Sequence, residues 1–228
     1  MSLFPNKRIE VPDKITGSKK WKKAWSDINF RKKLITGIII LGIILLFIYP
    51  PFFRYIETRK GNLINDPLLE SIQATNVSIP AFICIWGIFF LFIYRVVSSP
   101  PLLLQFLIAY IILSFARMGM ILTFPLEPPS DLIELKDPLI SLFIGQKFIE
   151  KDLFFSGHTS TIILFLFCFE KKIDKWLAAS AALIIGILLI IQHVHYTIDI
   201  AAAPLFAYIS YRLAKKLLGN SWKQNYVS

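Results

Sequence analysis

The stretch Lys151-Asp152-Leu153-Phe154-Phe155-Ser156-Gly157-His158-Thr159-Ser160 decides how this chain is read. It sets an acid, a Ser-Gly-His turn and a threonine at the mouth of an apolar run, Ile162 to Phe169. A second polar group, His193-Val194-His195-Tyr196-Thr197-Ile198-Asp199, joins the apolar runs Leu177–Ile191 and Ile198–Tyr211. Ionisable side chains in or beside membrane helices are costly, so both groups are functional candidates from the outset.

The membrane reading rests on composition. The chain of 228 residues is 55% hydrophobic and 18% charged, too apolar for an ordinary soluble domain. Uncharged runs of spanning length recur along it. They predict an all-α polytopic membrane protein, a bundle of six transmembrane helices: Leu34–Phe53, Val77–Tyr94, Leu102–Leu122, Ser156–Phe169, Trp176–Gln192 and Ile198–Leu213. The prolines in Tyr49-Pro50-Pro51-Phe52-Phe53 predict a helix break near the interface. The fourth run is short, so Phe154, Phe155 and the Ser-Gly-His turn are expected within the membrane boundary. Residues 1–33 read as a basic N-terminal tail, 34–215 as one six-span catalytic domain and 216–228 as a C-terminal tail. The net charge of +10 does not point to nucleic acid, because Lys and Arg crowd the ends of apolar runs. Cys84 and Cys168 lie inside apolar runs and read as packed thiols.

Charge also sets the orientation. Residues 1–33 carry ten Lys and Arg against three acids. Trp21 and Trp25 stand four apart among the lysines. That segment is either an interfacial amphipathic helix held by anionic lipid or a basic tail that only sets topology. Six spans put both tails, the Arg95 turn and the 170–175 turn on one side, which then holds most of the Lys and Arg. The termini are therefore expected in the cytoplasm, with the other face extracytoplasmic or lumenal. Arg117, His158, His195 and Asp199 then fall at one depth on the outer side.

These residues permit a defined chemistry. His195 and Asp199 are four apart and share a face if the sixth helix begins near His195. A carboxylate behind an imidazole fixes its tautomer and stabilises the cation formed when the ring attacks. His158 on a neighbouring helix can serve as general acid for a leaving oxygen. Ser156 reads as an N-cap, and Gly157 would let a ligand approach the backbone. The free N–H groups of that helix start favour an anion such as phosphate. Arg117 would add a planar, multi-donor cation. The set suits phosphoryl transfer through a phosphohistidine. His193-x-His195 with His158 raises zinc. Residues two apart on a helix point away from each other, so His193 reads as a bystander and no metal or cofactor is expected.

The pattern Asp152-x-x-x-Ser156-Gly157-His158-Thr159 resembles the third signature of the sphingomyelin synthase family, and His195-Tyr196-Thr197-x-Asp199-Ile200 resembles its fourth. That family lies within the wider type-2 phosphatidate phosphatase superfamily. Arg117 with Thr123 and Pro125 is loosely similar to the second signature, and Asn65-Asp66-Pro67 faintly to the first. The resemblance implies His195 as nucleophile, Asp199 as its partner and His158 as acid/base. Substrate-binding positions would be Arg117, Asp152, Ser156, Gly157, Thr159 and Tyr196, the last also an aromatic of the membrane interface. The implied donor is a membrane phospholipid, and the acceptor ceramide, diacylglycerol or water. Glu150-Lys151 stands where that family has Cys-Gly, and Ser210 and Leu213 stand where its last helix carries an aromatic and Tyr-His pattern. These departures leave headgroup and acceptor open. The alternatives are a lipid phosphomonoester phosphatase on the same scaffold and a non-catalytic lipid-binding or transport protein.

Overall fold

A computed structural model describes residues 17–136 and 148–219. The remainder of both tails, and the part of the 123–155 connection that contains Pro138, lie outside the described residues. Among the described residues nine α-helices follow in chain order: α1 Gly17–Ser26, α2 Ile28–Ile43, α3 Tyr49–Thr58, α4 Pro67–Glu70, α5 Ser78–Ser98, α6 Pro100–Thr123, α7 Gly157–Cys168, α8 Lys172–Ile191 and α9 Thr197–Leu218. Among the described residues, extended pairing is limited to one bridge between Asn62 and Leu126.

Four helical stretches of the described residues are long and apolar enough to cross a membrane: Ile28–Thr58, Ser78–Ser98, Pro100–Thr123 and Lys172–Ile191. The other two expected spans differ. The fourth is α7, with 12 residues, about 18 Å long at 1.5 Å per residue and well short of a bilayer core of about 30 Å. The sixth is α9, which is 22 residues long but carries Asp199, Arg212, Lys215 and Lys216. Among the described residues the protein is thus an all-helical membrane protein with four candidate spans and two further helices packed among them. Ile38, Ile39, Leu46 and Phe47 on the first rod and Leu183 on α8 are exposed, as lipid-facing residues are.

The predicted break at Pro50-Pro51 does not occur. A π-helical turn, Ile44–Ile48, precedes α3, and Tyr49 N–H donates to the carbonyl of Ile44. The wider turn redirects the ladder before the prolines, whose missing N–H groups are then tolerated at the first turn of α3. The rod continues to Thr58. The described part of the basic tail, from Gly17 on, is helical and packed on the bundle. α1 buries Ala24, and the indole N–H of Trp21 donates to Val96 O at 3.1 Å. Asp27 caps α2 by accepting from Asn29 N–H at 2.8 Å.

Two kinds of packing hold the bundle. α7 packs on both α8 and α9, and small residues are buried on each of these two helices: Ala178, Ala181 and Ala182 on α8, and Ala203, Ala207 and Ala214 on α9. A β-carbon on Gly186 would press on Ile200 of α9 at 2.9 Å. Aromatic rings fill the space on the other side of α7. Phe165 stacks on Phe106 with centroids 4.6 Å apart and meets Phe92 at the same distance.

Candidate active site

The Ser-Gly-His stretch is fixed by the residues just before it. Phe154 and Phe155 both take positive φ, 70° and 50°, which is rare for bulky residues. Ring stacking offsets that cost. Phe155 stacks on Phe206 of α9 at 4.3 Å, and Phe154 on Phe124 at 4.6 Å. The chain turns sharply into α7, and Ser156 caps it by accepting from Thr159 N–H at 3.3 Å. The N-cap reading of Ser156 therefore describes the observed geometry. Thr159 is buried, and its hydroxyl oxygen has no partner among the described residues.

His195 and Asp199 meet, although not on one helical face. α9 begins at Thr197, so His195 stands two residues before its first turn. The carboxylate at the third helical position reaches back instead. Asp199 Oδ2 lies 3.1 Å from His195 Nδ1 and accepts from Tyr196 N–H at 3.2 Å. A capping box thus holds the imidazole partner in place. Asp199 is fully buried, and its Oδ1 has no partner among the described residues. The two polar groups are joined by one backbone bond, Ser156 N–H to Asp199 O at 3.1 Å. The sheltered carboxylate behind the histidine and the turn that starts α7 are parts of one assembly.

A cavity of about 370 Å³ opens beside that assembly between α3, α5, α6 and α7. Its polar end is formed by Arg117, Asp152 and His158, while Trp86, Phe89 and Phe165 line its apolar part. The His158 ring meets Phe82 edge to face at 6.4 Å. Arg117 pairs through Nη2 with Asp152 Oδ1 and lies 5.8 Å from the centre of the Phe155 ring. Gly157 lines the same cavity and lies against Arg117. A β-carbon there would overlap Arg117 Nη1, so the glycine admits the guanidinium against the start of α7. His195, Asp199 and Tyr196 do not line this cavity.

Tyr196 is buried rather than displayed at an interface. It packs with Leu69 and Leu153, and its hydroxyl donates to Glu127 O at 3.0 Å. His193 takes φ of 56° at the end of α8, with Nε2 3.0 Å from Ile72 O.

The sequence underrated Asp66. Its carboxylate accepts from Thr197 N–H at 2.6 Å and from the Thr197 hydroxyl at 3.0 Å, while capping α4 through Leu69 N–H at 3.2 Å. It ties the 59–77 loop to the first residue of α9, next to the histidine turn. Burial works to raise the Asp66 pKa, but the donors from Thr197 and Leu69 outweigh it and hold the carboxyl below its usual range. The sequence signal was the Asp-Pro pair, a common helix start, with nothing to name its distant partner. Glu127 and Lys151 add a second tie at 2.9 Å, which holds the Glu127 carboxyl below its usual range.

Comparison with known proteins places one part of the chain. No curated protein and no solved structure matches it. Residues 151–216, which hold both polar groups, match the family model described as PAP2 superfamily C-terminal. That match supports the type-2 phosphatidate phosphatase superfamily and a phosphatase-type enzyme, and it does not single out a sphingomyelin synthase-like branch.

Proposed function

We propose that the protein is an integral membrane lipid phosphotransferase. In this reading it cleaves a phospholipid headgroup at its phosphodiester through a phosphohistidine and passes it to ceramide, diacylglycerol or water. The observation that carries the reading is the His195–Asp199 pair. With Nδ1–H donated to the buried carboxylate, the lone pair of Nε2 is left for phosphorus. His158, at the polar end of the neighbouring cavity, protonates the departing diacylglycerol oxygen and then deprotonates the acceptor. Arg117 holds phosphate oxygens. The apolar length of the cavity suits a lipid chain, and a substrate phosphate at its polar end must engage His195 from there. Both termini lie in the cytoplasm and the site faces away from it, as the charge asymmetry of the sequence supports.

A lipid phosphomonoester phosphatase is the second reading, and the superfamily match favours it. The charge of the cavity favours the first. Arg117 is already paired with Asp152, which leaves little net positive charge for a dianionic phosphate. Release of labelled headgroup from phosphatidylcholine or phosphatidylethanolamine, against release of phosphate from phosphatidate in the same detergent, separates them. Adding ceramide or diacylglycerol then distinguishes transfer from hydrolysis. Turnover of phosphatidate alone would replace the first reading by the second. No turnover of any of these lipids would remove both.

A further inference from the structure

The end of the bundle opposite the histidines has a pocket of its own. It measures about 290 Å³ and is enclosed by α1, the turn between α5 and α6, and the turn between α7 and α8. α1 is fastened over it. Gly17 packs so closely on Val97 and Ser98 that a β-carbon would come within 2.7 Å of Val97 O, and Trp21 bonds to Val96 O. The lining contains three cations, Lys20, Arg95 and Lys171, and the hydroxyls of Ser98 and Ser99.

Two acids, Asp174 and Glu170, also line it. Asp174 is spent on Arg95, which grips both carboxylate oxygens at 2.8 and 2.9 Å. Glu170 is engaged within the protein. Lys20 and Lys171 have no ion pair among the described residues. Two lysines on separate elements, without an ion pair among the described residues, therefore line one pocket. Its lining also has an apolar side, Tyr94, Pro101, Leu102 and Phe169, of which Tyr94 is 65% exposed. Val97 and Ile173, next in sequence to the lining residues Ser98 and Asp174, are exposed as well. Exposed aromatic and aliphatic residues at the end of a spanning helix face the lipid boundary.

We propose that this pocket binds the phosphate headgroup of an anionic phospholipid in the adjoining leaflet, through Lys20 and Lys171. The apolar side of the lining at Tyr94 takes the start of the acyl chains, which a soluble anion lacks. The lipid bridges α1 to the α7–α8 turn and holds the amphipathic helix on the bundle. This site is independent of the histidines and of the activity assigned to them.

The test uses the full chain in a zwitterionic detergent and compares retention of phosphatidylglycerol and phosphatidylcholine by native mass spectrometry. Lys20→Gln with Lys171→Gln should lower the preference for phosphatidylglycerol about tenfold. Lys20→Arg with Lys171→Arg should keep it. Lys215→Gln with Lys216→Gln removes the same charge from the exposed end of α9 and should change it little. Each double variant leaves Arg117, His158 and His195 intact, so binding at the catalytic end cancels in the comparison. Equal losses in the two Gln pairs would mean diffuse surface attraction and would overturn the proposal, as would an unchanged preference in the Lys20/Lys171 pair. Displacement by glycerol phosphate at concentrations equal to the lipid would overturn it in favour of a soluble anion.

Discussion

Two arginine–aspartate pairs stand at opposite ends of this bundle, and they are built differently. Arg95 and Asp174 form a closed pair, in which Nε and Nη2 each meet one carboxylate oxygen and Asp174 is 1% exposed. Arg117 and Asp152 touch through a single nitrogen and a single oxygen, and the Asp152 side chain is 31% exposed to the cavity that His158 shares. The same two residue types therefore serve two ends. A bidentate, satisfied pair locks α5 to α8. A monodentate pair at a cavity keeps donor capacity for an incoming anion. Two buried oxygens without partners among the described residues, on Asp199 and Thr159, also belong to the open end, whereas the Gln105 amide, likewise unpartnered among them, stands near the start of α6. Unsatisfied buried polar groups cost free energy and tend to sit where a ligand or chemistry accounts for them.

The largest effect expected is loss of turnover when the sheltered pair is broken. His195→Ala and Asp199→Asn should each lower the rate at least about a thousandfold, with Asp199→Asn keeping the fold but holding the wrong tautomer. A leaving group that needs no proton, such as p-nitrophenolate, should partly rescue the first step of His158→Ala and neither of the others. A trapped phosphohistidine should map to His195. Phosphate trapped on His158, or rescue of His195→Ala, would exchange the two roles.

The two arginines then separate activity from stability. Arg117→Lys should lower activity about tenfold to a hundredfold with little change in unfolding temperature. Arg95→Lys should do the reverse, because a buried carboxylate loses half of its fork while the cavity is untouched. Equal effects of the two substitutions on both measurements would abolish the distinction between an open and a closed pair. Gly157→Ala offers a finer cut. Its methyl group claims the space of Arg117 Nη1, so its activity loss should not add to that of Arg117→Lys. Full additivity would mean that the glycine acts on something other than the guanidinium.

The smallest effect concerns the tie between the loop and the histidine turn. Asp66→Asn should destabilise the protein by about 1–2 kcal/mol at neutral pH, since a charged acceptor of several bonds becomes neutral. The folded carboxyl of Asp66 is held below its ordinary range. Its contribution is therefore complete above that range and is lost as pH falls through the lowered value. The gap between the parent and Asp66→Asn should close on acidification, as measured by thermal unfolding across pH. A gap that widens toward acid would mean that the carboxyl is not held in its charged form.

Much of this molecule was legible in its sequence. The apolar runs reported the helices because a chain in lipid must satisfy its backbone bonds within each segment. Ser156 as cap and the start of α7 followed from local residue chemistry, and the His195–Asp199 spacing pointed to a pair that forms. Local chemistry also misled. It read Pro50-Pro51 as a stop, whereas a π turn upstream absorbs both prolines. It paired His195 with Asp199 through a shared helical face if the helix began near His195, whereas the helix begins at Thr197 and the carboxylate reaches back through a capping box. What only the tertiary structure decided lies between segments distant in sequence: Arg117 against Gly157, Asp66 on Thr197, Tyr196 turned into a small core, and Lys20 beside Lys171. Spacing along one chain encodes which residues share a helix. It does not encode which faces of different helices meet, because that is set by packing among all of them at once.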